Sequence, residues 1–245
     1  LELEQRLGQN PYVLGVIGST DSHTALSSTE ENNFHGKLAT DSIPANKNSG
    51  WNDDGPGATG WAMSASRMAA VWAKSNTRSD IMDALERREV YATTGPRIAV
   101  QFYGGAGFTE ADLQNADVHT YATSRGVPMG GELSRPETPS FIVLTAKDPE
   151  GANLDRVQIV KGWLDETGKS HEKVFNVVWS DDRQLYPDGT LPAVGNTVNL
   201  KTGQVDNSIG AAQLATTWAD PQFDARQPAF YYVRVLQIPT ARHSL

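Results

Sequence analysis

The sequence predicts an α+β chain whose second half is an antiparallel, β-rich domain, and two contrasts along it carry that prediction. Up to about residue 97, one segment of helical period stands among short apolar runs and turns. From residue 98 onward, β-rich runs follow one another with only turn clusters between them, which implies antiparallel pairing in a sandwich or a partly open barrel. Residues 1–97 and 98–245 are therefore expected to form two units.

Leu1 to Leu7 reads as the last turns of a helix stopped by Gly8. Asn10-Pro11 marks a turn, and Tyr12 to Ile17 is an apolar run of the kind a central, doubly covered strand shows. Residues 25–63 carry many Ser, Thr, Asn, Asp, Gly and Pro without apolar periodicity, which fits a lid or a surface excursion. Met68 to Ala73 suits a short buried strand. Thr77-Arg78-Ser79-Asp80 then spells a capping box, and Ile81, Ala84 and Leu85 form the apolar stripe of a helix running to about Glu89. Val90 to Pro96 breaks the helix, and Ile98 to Tyr103 alternates as a strand. Further strands are expected at Phe141–Ala146, Arg156–Lys161, Val174–Trp179, Val198–Leu200 and Phe230–Ile238.

Charge and composition remove several classes of function. A net charge of −8 without a Lys/Arg cluster argues against a nucleic-acid partner. No apolar run is long enough to predict a membrane span. With no cysteine, thiolate chemistry and disulfides are excluded.

The chemistry concentrates in Gly18-Ser19-Thr20-Asp21-Ser22-His23-Thr24. If the chain stays extended there, Asp21 and His23 point the same way and can grip one divalent ion, zinc, manganese or iron. A solvated loop is the competing reading. His35 lies in the polar loop near Asp41, Asp53 and Asp54, any of which could approach the pair. Thr93-Thr94-Gly95-Pro96-Arg97 offers hydroxyls and a guanidinium for an anionic oxygen, or an arginine capping a sheet edge. Gly55 to Gly60 matches the spelling G-x-G-x-x-G without the flanking strand, and Ser170-His171-Glu172-Lys173 spells S-x-x-K on an expected hairpin tip; both are read as loops. His119, His171 and His243 are read as surface residues. Trp163, Trp179 and Trp218 are expected to pack within a sandwich. The alternative is that exposed Trp rings make the β-rich half a non-catalytic binding or docking module, for a saccharide or another part of the protein.

Several strings resemble a bacterial domain-of-unknown-function family numbered 3604. They are Gly18–Thr24, Ala70–Ala73, Asp83–Leu85, Glu89–Ile98, Gly126–Gly131, Lys147–Asp155, Ile159–Trp163, Val194–Thr197 and Phe230–Val235. That family resembles the PHP superfamily (polymerase and histidinol phosphatase), metal-dependent hydrolases on a distorted β/α barrel, and is similar in layout to its carbaryl hydrolase branch. The resemblance implies that residues 1–97 are the C-terminal remnant of a PHP-like barrel, with Asp21 and His23 its last metal ligands. The superfamily's His-x-His pair has no counterpart here, so an N-terminal barrel portion is expected upstream as a partner in the site. The ion is then expected to be bound incompletely, and the chain alone to be inactive. A small-molecule phosphate, carboxylic or carbamic ester is the implied substrate, with Ser22, His35, Thr93, Thr94 and Arg97 as its contacts. A periplasmic or secreted bacterial location is expected.

Overall fold

A computed structural model describes residues 1–25, 37–40, 43–46, 67–133 and 137–241. The chain is β-rich with few helices. All strand pairs among the described residues are antiparallel, in three sheets, none closed into a barrel.

The N-terminal part holds helix α1 (Glu2–Leu7), ended by Gly8 in the left-handed conformation, and a ladder of β1 (Met68–Val71) with β2 (Val90–Thr93). Between these strands lies helix α2 (Arg78–Glu86). Thr77 caps it by accepting from the Asp80 amide at 3.2 Å, and the Asp80 carboxylate takes the Ser75 and Thr77 hydroxyls. The helix stops at Glu86, short of the expected Glu89, because Arg88 turns to φ 61° and starts the return strand. Val90–Thr93, expected as a break, is therefore a strand.

The largest correction concerns Tyr12 to Ile17. This run forms no strand and is exposed: Leu14 is 72% and Val16 71% accessible. Its contacts run through glycine. A Cβ on Gly15 would stand 2.7 Å from Val90 Cγ2, and one on Gly18 2.5 Å from the Met68 carbonyl oxygen. The segment thus lies against the β1–β2 ladder by its side-chain-free positions and turns its apolar side chains away. β1 is likewise only partly buried, with one strand for a neighbour among the described residues.

The rest is a sandwich. One sheet has the order β4 (Gly126–Pro128), β3 (Ala99–Ala106), β5 (Pro139–Ala146), β8 (Gln213–Ala219). The other has β7 (Ser170–Trp179), β6 (Leu154–Leu164), β9 (Ala229–Gln237). Phe141, Val143 and Leu214 meet Leu154, Val157 and Ile159 between the sheets. On the other face of β5, Ile142 packs with Tyr103, Phe108 and Ala122. Ala122 belongs to helix α3 (Val118–Arg125), capped by Asp117, which interrupts the helix-free half that the sequence suggested. Strand β5 is consequently covered on both faces. Of the expected strand Val198–Leu200 only a bridge from Val198 to Val205 forms, and Leu200 is exposed. Ser170–Lys173 opens strand β7; the hairpin turn itself precedes it.

Tyr103 is buried at the α3 face, its hydroxyl 3.0 Å from His119 Nδ1. Burial, then the Glu89 and Asp117 charges, push its pKa up to about 12. The unfolded chain releases this proton near pH 10, while the folded state holds it to about 12. Stability is therefore complete below pH 10 and falls as pH rises from there to about 12, by on the order of 2 kcal/mol. Urea unfolding at stepped alkaline pH should show this decline, and Tyr103→Phe should make it shallower, leaving the part contributed by Tyr91 and Tyr231, whose pKa values burial also raises.

Candidate functional site

Asp21 and His23 do come together, though along a different path from the extended one expected. Asp21 sits at φ 52°, a left-handed conformation that aspartate tolerates better than most residues. His23 is fixed beyond it by its amide, which donates to the Lys37 carbonyl at 2.8 Å. The two side chains then meet, Asp21 Oδ1 and His23 Nε2 lying 3.2 Å apart.

The other carboxylate oxygen accepts from the Lys37 ammonium. This hydrogen bond, and next that of His23, hold the Asp21 carboxyl below the ordinary aspartate range. An ionised carboxylate only accepts, so the His23 contact requires the proton on Nε2. Both side chains are more than half exposed, so a ligand can reach the pair from solvent. Ser22 and Thr24 pair their hydroxyls at 2.9 Å beside them.

Two ligand atoms held about 2.0–2.2 Å from one ion stand about 2.8–3.6 Å apart, from right-angled to tetrahedral coordination. The Asp21/His23 spacing and their carboxylate and imidazole chemistry thus fit a divalent metal, in number two of the three or four ligands such an ion takes. Among the described residues no group of three His, Cys, Asp or Glu gathers around an ion-sized position. His35, Asp41, Asp53, Asp54 and His243 lie outside the described residues, as do Gly55 to Gly60 and most of the 25–63 loop.

Thr93 ends β2 and pairs with Met68. A Cβ on Gly18 would stand 3.0 Å from the Thr93 carbonyl oxygen, so the Gly18–Thr24 string begins beside Thr93. The Thr93 hydroxyl accepts from the Gly95 amide at 3.2 Å, and Thr94 is exposed. Arg97 is exposed, and its amide donates to Asp148 Oδ2 at 2.7 Å, which pins the turn to the loop after β5. The ladder is further tied to β3 by Tyr91 Oη donating to the Ile98 carbonyl and Trp72 Nε1 to that of Val100.

Three polar features escape a reading of the sequence alone. Lys37 is one. The second is a buried set in the sandwich, where Lys161 Nζ stands 2.5 Å from Asp220 Oδ2 and Tyr231 Oη donates to the same carboxylate at 2.7 Å. Desolvation, with Asp220 beside it, raises the Tyr231 pKa. Third, Arg183 donates to the Asp155, Ser180 and Pro192 carbonyls, fastening the loop after β7. His171, expected at the surface, is half-buried: it bonds Asp165 at 2.7 Å and stacks on Trp163. Trp218 packs on the sandwich core, and Trp179 Nε1 donates to the Arg183 carbonyl.

Compared with known proteins, the chain matches over residues 1–245 the family described as "Protein of unknown function (DUF3604)". No curated protein and no solved structure matches it.

Proposed function

We propose, for this chain that belongs to the DUF3604 family of proteins of unknown function, a part in metal-dependent ester hydrolysis. The chemistry is of the kind carried out by the PHP superfamily and its carbaryl hydrolase branch. The observation that supports this reading is the 3.2 Å approach of a carboxylate oxygen to an imidazole nitrogen on an exposed rim. In this reading residues 1–97 belong to a distorted β/α barrel, residues 98–245 accompany it, and other parts of the barrel complete the ligand set.

Asp21 would hold the ion through Oδ1 and His23 through Nε2, in the tautomer that carries its proton on Nδ1, so that the ion takes the place of the Nε2 proton between the two side chains. A divalent metal, zinc, manganese or iron, supplies Lewis acidity there, polarising an ester or phosphoryl oxygen and acidifying water. Lys37 orients the carboxylate from its far side and offsets part of its charge. The Ser22 hydroxyl, Thr93, Thr94 and Arg97 would bind the oxygens of a phosphate, carboxylic or carbamic ester, and His35 would approach from the polar loop.

Metal content after dialysis and hydrolysis of a panel of aryl esters and phosphoesters, both measured on the full-length protein that carries the remaining ligands, test the proposal. Asp21→Ala and His23→Ala are each expected to weaken metal binding by at least about tenfold and to reduce hydrolysis in step. Equal metal content and equal rates in the parent and both variants would refute it.

A further inference from the structure

The outer face of the β7-β6-β9 sheet is a grid fixed by strand register. Phe230, Gly162 and Glu172 form one row, Tyr232, Val160 and Val174 the next, and Arg234, Gln158 and Asn176 the third. In the first row, a Cβ on Gly162 would come 2.4, 2.5 and 3.1 Å from Cζ, Cε1 and Cε2 of Phe230. Similar distances to three ring atoms mean that the ring passes over that point, so Phe230 lies down across β6. Only glycine leaves it room.

The Tyr232 ring is inclined by 12° to that of Phe230, with centroids 6.4 Å apart. It therefore lies down beside it, over Val160, which is 1% exposed. A ring with one face on the sheet and the other toward water is about half exposed, and Phe230 and Tyr232 are 49% and 43% exposed. The third row is a chain of planar polar groups. Arg234 Nε donates to Gln158 Oε1 at 2.8 Å, Gln158 Nε2 to Asn176 Oδ1 at 2.8 Å, and Asn176 Nδ2 to the Gly189 carbonyl at 3.0 Å. At the opposite end stands the exposed Glu172.

We infer that this face binds a linear oligosaccharide of pyranose units. The two rings form a flat platform for the C–H faces of a pyranose chain, whose apolar faces lie on aromatic rings as other apolar groups do. Arg234 at one end, held in place by the amide row, and Glu172 at the other supply donors and acceptors for the hydroxyl rims. A protein partner fits less well. Two rings and Val174, bounded by charge at both ends, fall well short of the roughly 1,000 Å² that a stable protein interface buries. The platform is built from Phe and Tyr, while Trp218, partly buried, packs against the sandwich core.

Calorimetric titration of this chain with cellohexaose, xylohexaose, mannohexaose and chitohexaose tests the inference. At least one should bind. Tyr232→Ala should weaken that binding about tenfold, while Tyr232→Phe, which keeps the ring, leaves it nearly unchanged. Arg234→Ala, which leaves both rings in place, should also weaken it, and decides the matter if Tyr232→Ala fails to fold. Absence of binding to all four sugars, or parent-like binding by a folded Tyr232→Ala or by Arg234→Ala, would overturn it.

Discussion

Asp220→Ala is expected to lower the unfolding free energy by about 3–5 kcal/mol, the loss that follows when one partner of a buried ion pair is removed. The Lys161 and Asp220 side chains are 4% and 0% exposed, so neither charge can fall back on water. Asp220 accepts from Lys161, from the Tyr231 hydroxyl and, through Oδ1, from the Gln222 amide at 2.9 Å. Without the carboxylate, the ammonium keeps only the Gln222 carbonyl at 2.7 Å and the faces of Trp163 and Tyr231. Adding Lys161→Met to Asp220→Ala removes the stranded charge and should recover much of the loss, since an apolar replacement of a buried pair is often neutral. Urea midpoints of the parent, the single and the double variant check this. A single variant within about 1 kcal/mol of the parent would contradict the burial argument.

Phe141→Ala is expected to cost about 3–5 kcal/mol, in the range of large core truncations. The ring is 3% exposed and stands at the centre of an aromatic cluster, with centroids 5.2 Å from Phe102, 5.9 Å from Trp218 and 4.7 Å from Tyr231. These partners come from β3, β8 and β9, so the cavity would open where both sheets meet and no single side chain could close it. Phe141→Leu keeps most of the volume and should cost clearly less. Thermal or urea unfolding of the two variants gives the comparison, and equal losses would show that ring packing matters little here.

The strands that the sequence made legible share a trait: β3, β5, β6, β7 and β9 are runs of alternating or continuous apolar and β-branched residues. Strand β8 was not readable because Gln213-Leu214-Ala215-Thr216-Thr217-Trp218 is diluted by alanine and threonine, although Leu214, Thr216 and Trp218 lie on one side. Helix α3 was hidden for the opposite reason. Val118, Thr120 and Thr123 are poor helix formers, and the Asp117 cap and the burial of Ala122 hold what propensity does not. Tyr12 to Ile17 misled because composition reports that apolar side chains favour burial and says nothing of which element covers them. At the candidate site, the i, i+2 spacing of Asp21 and His23 could be read directly. Lys37 reaches them across a polar stretch with no periodicity to betray the contact. Lys161, set in the apolar run from Val157 to Trp163, did carry a signal, for a lysine there needs a buried counter-charge. Its partner 59 residues on could come only from the fold.

The doubly covered β5 has a consequence for how the protein is made. Its neighbour β8 begins at Gln213, and β6 must wait for β9, which ends at Gln237. Both sheets are therefore completed by their most distant segments, each closing a loop of tens of residues before any pairing energy is returned. On the ribosome, neither sheet can finish until nearly all of residues 1–237 have emerged. Until then the apolar edges of β5 and β6 stay open, and strand-to-strand misassociation competes with folding at that stage.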